Sequence, residues 1–415
     1  MLQALNYILS GIGLAKLSSK AKPVLEGMNK LQEQNNSYIY SPSKAIWMDR
    51  NYREFANEAY AKNVVAYRAI NMVAHAAASV PIKLLQFVSN KEVKPIYRHP
   101  MLDLLLRPNP IQNGKELLES LYIYKQISGN AYLLSVLPDK TKLPKELYAL
   151  RPDRVTIVAG NNFLPAGYKY KVDDSEFYYP VNQITGKSKI LHLKNVHPTS
   201  DWYGLSSIEP AAYSIDQHNQ SASWNQALLQ NCARPSGAFI VKNSEGNPAT
   251  LSQEQYSRLK ELIDESVSSS LNAGRPLILE GGLEWKELSL SPKEMDYIEG
   301  KHSAARDIAL AFGVPPQLLG IPGDNTYSNL QEARASFWEQ TVVPLAENTV
   351  DHIGRWLKSY YEENLELMID EDNITALTSK RDALWDRLEK SSFLTINEKR
   401  MQVGLGPVTG GDVIK

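Results

Sequence analysis

The chain has 415 residues, long enough for two to three domains with ordinary cores. Charged residues make up 22% and apolar residues 43%, the proportions of a folded soluble protein, with a formal net charge of -1. The charge is unevenly spread: residues 1–110 hold 14 Lys/Arg against 7 Asp/Glu, and residues 314–415 hold 10 against 16. A near-neutral chain with an acidic C-terminal quarter is a poor candidate for tight DNA binding, which does not exclude a surface past which DNA slides.

Residues 20–60 are polar and aromatic and show no clear period. Val64, Tyr67, Ile70, Ala74 and Ala78 recur at helical spacing, predicting a helix over 63–80 whose small-residue run lets another backbone approach. Pro81 ends it, and Ile82–Phe87 reads as a strand. His99–Leu106 is a short apolar helix stopped at Pro108 and Pro110. Gly114–Ser128 is a helix, turned at Gly129-Asn130 into the strand Ala131–Val136. Strands follow at Leu147–Leu150, Arg154–Val158, Tyr168–Tyr170 and Ile190–Leu193, so the first 200 residues read as α+β.

The next part differs. Ser207–Ala233 is a helical pattern with only two acids, Glu209 and Asp216, and no Lys or Arg. An exposed helix ordinarily carries paired charges, so a polar but nearly uncharged one points to neighbours on several sides, as in an oligomer. A small module follows: strand Ala238–Val241, helix Ser252–Ser266, strand Pro276–Glu280, turn Gly281-Gly282, strand Leu283–Leu288. Ser291, Pro292 and Glu294 form a capping-box pattern that opens the next helix. Met295, Ile298, His302, Ala305, Ala309 and Phe312 then make a helix-packing seam. Gly313 and Pro315-Pro316 close it. A glycine- and asparagine-rich loop, Gly323 to Asn329, leads into a helix over 329–361 that would be about 50 Å long if straight and that Pro344 should kink. Leu365–Ile369 reads as a strand, and Ser379–Glu389 and Asn397–Val403 read as helices.

Sites of chemistry are sparse. Gly186-Lys187-Ser188 resembles the end of a phosphate-binding loop, but Val181 stands where its first glycine is needed and a strand follows where a helix is required. The histidines at 75, 99, 192, 197, 218, 302 and 352 show no metal-ligand spacing; His302, on the seam, suits a core or inter-subunit role. Asp370-Glu371-Asp372 lacks the alternation of a calcium loop and reads as a solvated turn. No serine-nucleophile elbow or RNA platform is present. The expectation is no catalytic residue, no metal and no cofactor. The single cysteine, Cys232, excludes an intrachain disulfide, suits a reducing compartment and reads as a small buried hydrophobe. No apolar run approaches the ~20 residues of a membrane helix. Met1–Leu17 lacks the cationic start and cleavage site of a signal peptide; it is either a partner-binding helix or a frayed terminus.

Nine segments in chain order resemble the portal proteins of tailed double-stranded-DNA phages, prophages and gene transfer agents. They are NVVAYRAIN at 63–71 with SVP at 79–81, HPMLDLLL at 99–106 with PNP at 108–110, GNAY at 129–132, WYGLSS at 202–207, RPSG at 234–237, LEGGL at 279–283, FGVPP at 312–316, TYSN at 326–329, and NEKR at 397–400 running on to Asp412. Residues 1–50 match little, and their role stays open.

The resemblance implies an α+β portal fold assembled as a ring, commonly of twelve subunits, at one capsid vertex of the virion, with DNA entering and leaving along its axis. It implies a wing over 51–206, stem helices at 207–233 and 291–313, a clip over 234–290, a tunnel-loop region at 314–329, a long kinked wing helix and strand over 330–370, and a short crown over 371–415. Gln220, Trp224, Gln226, Met295, Ile298, His302 and Ala305 would pack the stem between subunits. Arg234, Pro235, Ser236, Gly237, Gly281 and Gly282 would meet the large terminase subunit and later the head–tail adaptor; the major capsid protein is a further implied partner. Gly323, Asp324, Asn325, Thr326, Tyr327, Ser328 and Asn329 would face DNA. A translocating channel should not grip phosphate, since each Lys or Arg contact adds affinity, and this loop has one carboxylate and no cation. The basic excess of residues 1–110 faces either capsid or DNA outside the channel, or is a solvated surface. An alternative class, a nucleic-acid-processing enzyme, would need the carboxylate cluster or phosphate loop that is missing.

Overall fold

The computed structural model describes residues 45 and 47–413, apart from 90–91, 139–142, 161–163, 231–236, 243–249, 268–282, 288–295, 324–326, 362, 404–405 and 407. Residues from Trp47 onward form the one unit described. It opens with a helical turn, Tyr52–Glu54, that widens into a π-helix at Phe55–Ala61, an element the unpatterned sequence of 20–60 did not predict.

Asn63 caps helix α1, Val64–Ala78, whose Ala66, Ala69, Ile70, Val73, Ala74 and Ala77 are buried. After strands β1, Ile82–Ser89, and β2, Glu92–Ile96, comes the short helix α2, Pro100–Leu106. Helix α3, Gly114–Ser128, starts at a capping box made by Asn113 and Glu116 and packs Leu117, Leu121 and Tyr122 into the same core as α1. The alanines of α1 have no bulk to hold the two helices apart, so burial there comes from close approach.

Strand β3, Asn130–Val136, is the centre of an antiparallel sheet between β4, Glu146–Leu150, and β8, Ile190–Lys194. A second sheet is β5, Val155–Val158, β6, Gly167–Val172, and β7, Ser175–Pro180. Two of the sequence motifs meet here. Gly129, at φ 76, ends α3 with its face against Gly204; a Cβ on either would sit within 2.4 Å of the other's carbonyl oxygen. Asn130 Oδ1 accepts from Gly204 N at 2.7 Å, and Ser206 Oγ donates to Ile127 O at 2.7 Å. The strand end is thereby fixed beside the start of helix α4, Ile208–Gln230.

The module after α4 shows strands β9, Gly237–Val241, and β10, Leu283–Glu287, paired antiparallel, with helix α5, Gln253–Val267, between them in sequence. The expected strand 276–280 lies outside the described residues. Helix α6, Tyr297–Ala311, follows. Its expected capping box at 291–294 is also outside them, and Asp296, at φ 46, stands at the N-cap position before Tyr297.

Helix α7 covers Tyr327–Phe337, then a π-helical turn Trp338–Val342, then helix α8, Val343–Lys358. The disturbance expected at Pro344 is taken up just before it. Val343 N donates to Trp338 O, five residues back. Pro344 has no N–H to give and its ring crowds the carbonyl four residues back, so the widened turn accommodates it. Strand β11, Leu365–Ile369, returns to pair antiparallel with β1, Ile82 opposite Ile369, completing the sheet β11-β1-β2. Gly354 of α8 lies on β11, where a Cβ would be 2.8 Å from Leu367 Cβ. Helices α9, Thr378–Lys390, and α10, Ile396–Gln402, close the chain, with Asn397 Nδ2 donating to Val408 O and Asp412 Oδ1.

Candidate functional site

The segment from Gly313 to Gly323 is an ordered elbow. α6 ends where Gly313 takes φ 64, a backbone that costs an L side chain strain. Thr341 Oγ1–H, from the π-helical turn, donates to Gly313 O at 2.7 Å. A Cβ at Gly313 would meet that same Oγ1 at 2.6 Å. Val314 is buried and its N–H donates to Ala309 O at 2.9 Å. Pro315 and Pro316 lead a 3-10 turn, Pro316–Leu319, that Gly320 ends at φ 74. Ile321 N donates to Pro316 O at 3.2 Å, and its side chain packs on Ala305 and Ala309. Arg306 Nη2–H of α6 then donates to Pro322 O at 2.8 Å.

Of the expected DNA-facing residues, Gly323 is exposed at the end of this elbow, and Asp324, Asn325 and Thr326 lie outside the described residues. Tyr327, Ser328 and Asn329 are not loop. They form the first turn of α7, because the helical ladder starts at Tyr327, two residues before the expected position 329.

The two helices expected as a packing pair, α4 and α6, do lie together. Tyr297 Oη–H donates to Ser221 O at 2.6 Å, and its ring meets Trp224 with centroids 5.5 Å apart. Trp224 is therefore used within the chain. Ala305, Ala309 and Phe312 are buried in the chain's own core, as is Ile308, a position the seam omitted. That corrects the seam: its lower half packs inward, Ala305 and Ala309 against Ile321 of the elbow and Phe312 in the main core. Ile298 stays 66% exposed, Leu310 78% and Leu229 60%, Gln220 and Gln226 are exposed, and His302 is partly buried. Met295, Arg234, Pro235, Ser236, Cys232, Gly281 and Gly282 lie outside the described residues; Gly237 begins β9.

A buried joint ties α1 to α4. Asn63, 1% exposed, uses both ends of its amide. Its Oδ1 accepts from Val65 N and Ala66 N at 3.0 Å each, and its Nδ2 donates to His218 Nδ1 at 3.2 Å and Asn219 Oδ1 at 3.0 Å. Burial, and secondarily Lys301, hold the His218 imidazole below its ordinary pKa, keeping it neutral as an acceptor. Upstream, Met48 N donates to Asp216 Oδ2 at 2.9 Å, while Trp47 stands edge-on to Tyr213 and Arg50 lies over the same ring.

His192 is structural: it stacks on its cross-strand partner Tyr132 at 4.5 Å and its Nε2–H donates to Asn130 Oδ1 at 3.0 Å. Burial, with Lys194 adding, pushes it down to about 3. The phosphate-loop look-alike anchors α8 instead: Lys187 Nζ donates to Ser359 O at 3.0 Å and Ser188 O accepts from Trp356 Nε1 at 2.9 Å. Among the described residues no group of three or more His, Cys, Asp or Glu could hold a metal ion, and no helix is long and apolar enough to cross a membrane.

Arg306 and Thr341 escaped sequence reading. Both act on carbonyls distant in the chain, and only the proline three residues after Thr341 hinted at irregular helix there. Asn63 was legible as a cap, but not its grip on His218.

Comparison with known proteins fits this architecture. The Phage portal protein family model matches residues 64–404. An uncharacterized protein of Rickettsia bellii (strain RML369-C) is 47% identical over 355 residues, 86% of this chain and 90% of that protein. The portal protein of Enterobacteria phage HK97 is 23% identical over 84% of this chain and 80% of its own length. A chain in the neck of an empty GTA particle computed with C6 symmetry superposes with a TM-score of 0.67 at 41% identity, covering 89% of this chain and 98% of that one. A chain from the neck of a native GTA particle computed with C12 symmetry gives 0.66 at 40% identity, covering 88% and 96%. The chain belongs to the phage portal protein family.

Proposed function

We propose that this portal protein assembles as a ring, commonly twelve copies, around an axial channel at one capsid vertex of a phage-like or gene-transfer-agent particle built in a bacterial cytoplasm. Double-stranded DNA enters and leaves through it. In this reading α4 and α6 are the stem, residues 234–290 the clip that receives a large terminase subunit and then a head–tail adaptor, and residues 371–415 a crown inside the head. The elbow aims residues 323–329 at DNA, and residues 51–206 with 330–370 form a wing toward the major capsid protein. The ring contributes no chemistry of its own; a separate packaging ATPase drives DNA.

The observation that carries the proposal is the open surface of α4 and α6. Leu229, Ile298 and Leu310 are exposed on helices whose other exposed positions include the uncharged Gln220 and Gln226. Apolar helix surface left in water is unfavourable, and neighbouring copies would cover it. Native mass and electron micrographs of the purified chain test this. A ring with an axial hole near the width of duplex DNA supports it; a monomer with nuclease or ATPase activity refutes it. Replacing Asn325, Thr326 and Tyr327 with Ala should leave rings intact and lower the DNA content of particles, and normal content would count against the loop's role.

A further inference from the structure

Two side chains act on the elbow from outside it, one at each end. Thr341 holds the carbonyl of Gly313, and Arg306 holds the carbonyl of Pro322. Neither bond belongs to a helix ladder or a turn. Thr341 reaches Gly313 from the π-helical turn. A π-turn inserts one extra residue and rotates the remainder of the helix about its axis, and such turns concentrate at functional positions. Gly313 answers with two adaptations: a positive φ, and no Cβ where one would press on Thr341 Oγ1. Between the two tethers the elbow is pegged by the buried side chains of Val314 and Ile321.

We propose that Arg306 and Thr341 are positioning residues that fix the elbow between the stem helix and the long helix, and so set where residue 323 and the loop beyond it stand relative to DNA. The second half of that statement rests on the tunnel-loop reading above; the first half does not. The two tethers couple the stem helix and the π-turn through the elbow, so that a shift of either pulls on one end of it.

The test uses rings of the full chain carrying Thr341→Val, Arg306→Met or both, with Thr341→Ser as the variant that keeps the hydroxyl. Amide hydrogen exchange is read at Val314 and Ile321, whose N–H groups close the elbow. Each lost tether should speed exchange there roughly fivefold and the double variant roughly thirtyfold, the factors for net hydrogen-bond contributions of about 1 kcal/mol. Thr341→Ser should exchange as the parent does. Exchange within twofold of the parent in the double variant overturns the proposal. The DNA content of particles carrying the same variants separates the two halves. Faster exchange with lowered DNA content supports both; faster exchange with normal content supports the tethers and refutes the DNA-facing role of the loop.

Discussion

Asn63 is the residue whose replacement has the most clearly defined cost. Its side-chain oxygen caps α1 and its nitrogen satisfies two acceptors on α4. Asn63→Ala removes a cap, about 1 kcal/mol. It also leaves His218 Nδ1 and Asn219 Oδ1 short of a donor, about 1–3 kcal/mol for each group that is truly buried. Asn219 is only half-buried, so the sum is about 3 kcal/mol. With an unfolding entropy of ~2.1 cal/mol/K per residue, that lowers Tm by roughly 3–4 °C.

Asn63→Asp separates the two roles. The carboxylate still caps α1, but its second oxygen now faces two acceptors. His218 relieves the conflict only by gaining a proton at Nδ1. In the parent, burial lowers the His218 pKa, so the stability it confers is present above the unfolded value and is lost as pH falls. In Asn63→Asp the folded pKa is raised, so stability is present below ~6.5 and is lost as pH rises through the new value. Thermal unfolding of parent and variant between pH 5.5 and 8.5 should therefore show a smaller deficit in acid than in base. A deficit independent of pH, or one that grows toward acid, would refute the hydrogen-bond assignment.

His192, held down to about 3 chiefly by burial, also disfavours acid: its contribution is intact above the unfolded pKa and is lost as pH falls toward the folded one. At pH 5 the parent should have lost about 2 kcal/mol through this group, and His192→Gln should flatten the fall of Tm between pH 7.5 and 5; an unchanged fall counts against it. Gly354→Ala gains about 1 kcal/mol of helix propensity but forces a Cβ to within 2.8 Å of Leu367 Cβ. Overpacking of about 1–3 kcal/mol should prevail, and a higher Tm would show that β11 yields freely.

Most helices announce themselves because their periods and caps are local. α1, α3 and α10 lie within a residue or two of their expected positions, each led by Asn or Thr at the cap. What escaped has a physical reason. β2 contains Pro95 and β7 is exposed and aromatic, with Pro180 at its end; both are sheet edges, where a missing N–H is tolerated and alternation is weak. The π-helix at Phe55–Ala61 follows neither helical nor strand period. The lock between Gly129 and Gly204 joins two motifs that were each visible, but nothing in either names the other.

The same limit applies to charge. The loop's own lack of Lys and Arg suggested a surface that lets phosphate pass, yet the fold brings Arg306 to its base from α6. A guanidinium is always protonated and presents a rigid fork of donors. Here one of those donors is committed to Pro322 O, which holds the cation at the elbow. A channel that must not grip DNA has reason to tie such a charge down. Arg306→Lys keeps the charge on a flexible stem without the planar fork, and Arg306→Met removes it. If tethering withholds the cation from DNA, Arg306→Lys particles should retain DNA more strongly at low salt than Arg306→Met particles. The difference should fade as salt rises, because each phosphate contact steepens the salt dependence by about one unit of log–log slope. Equal retention across salt would mean that the charge never reaches the channel and that Arg306 acts on the elbow alone.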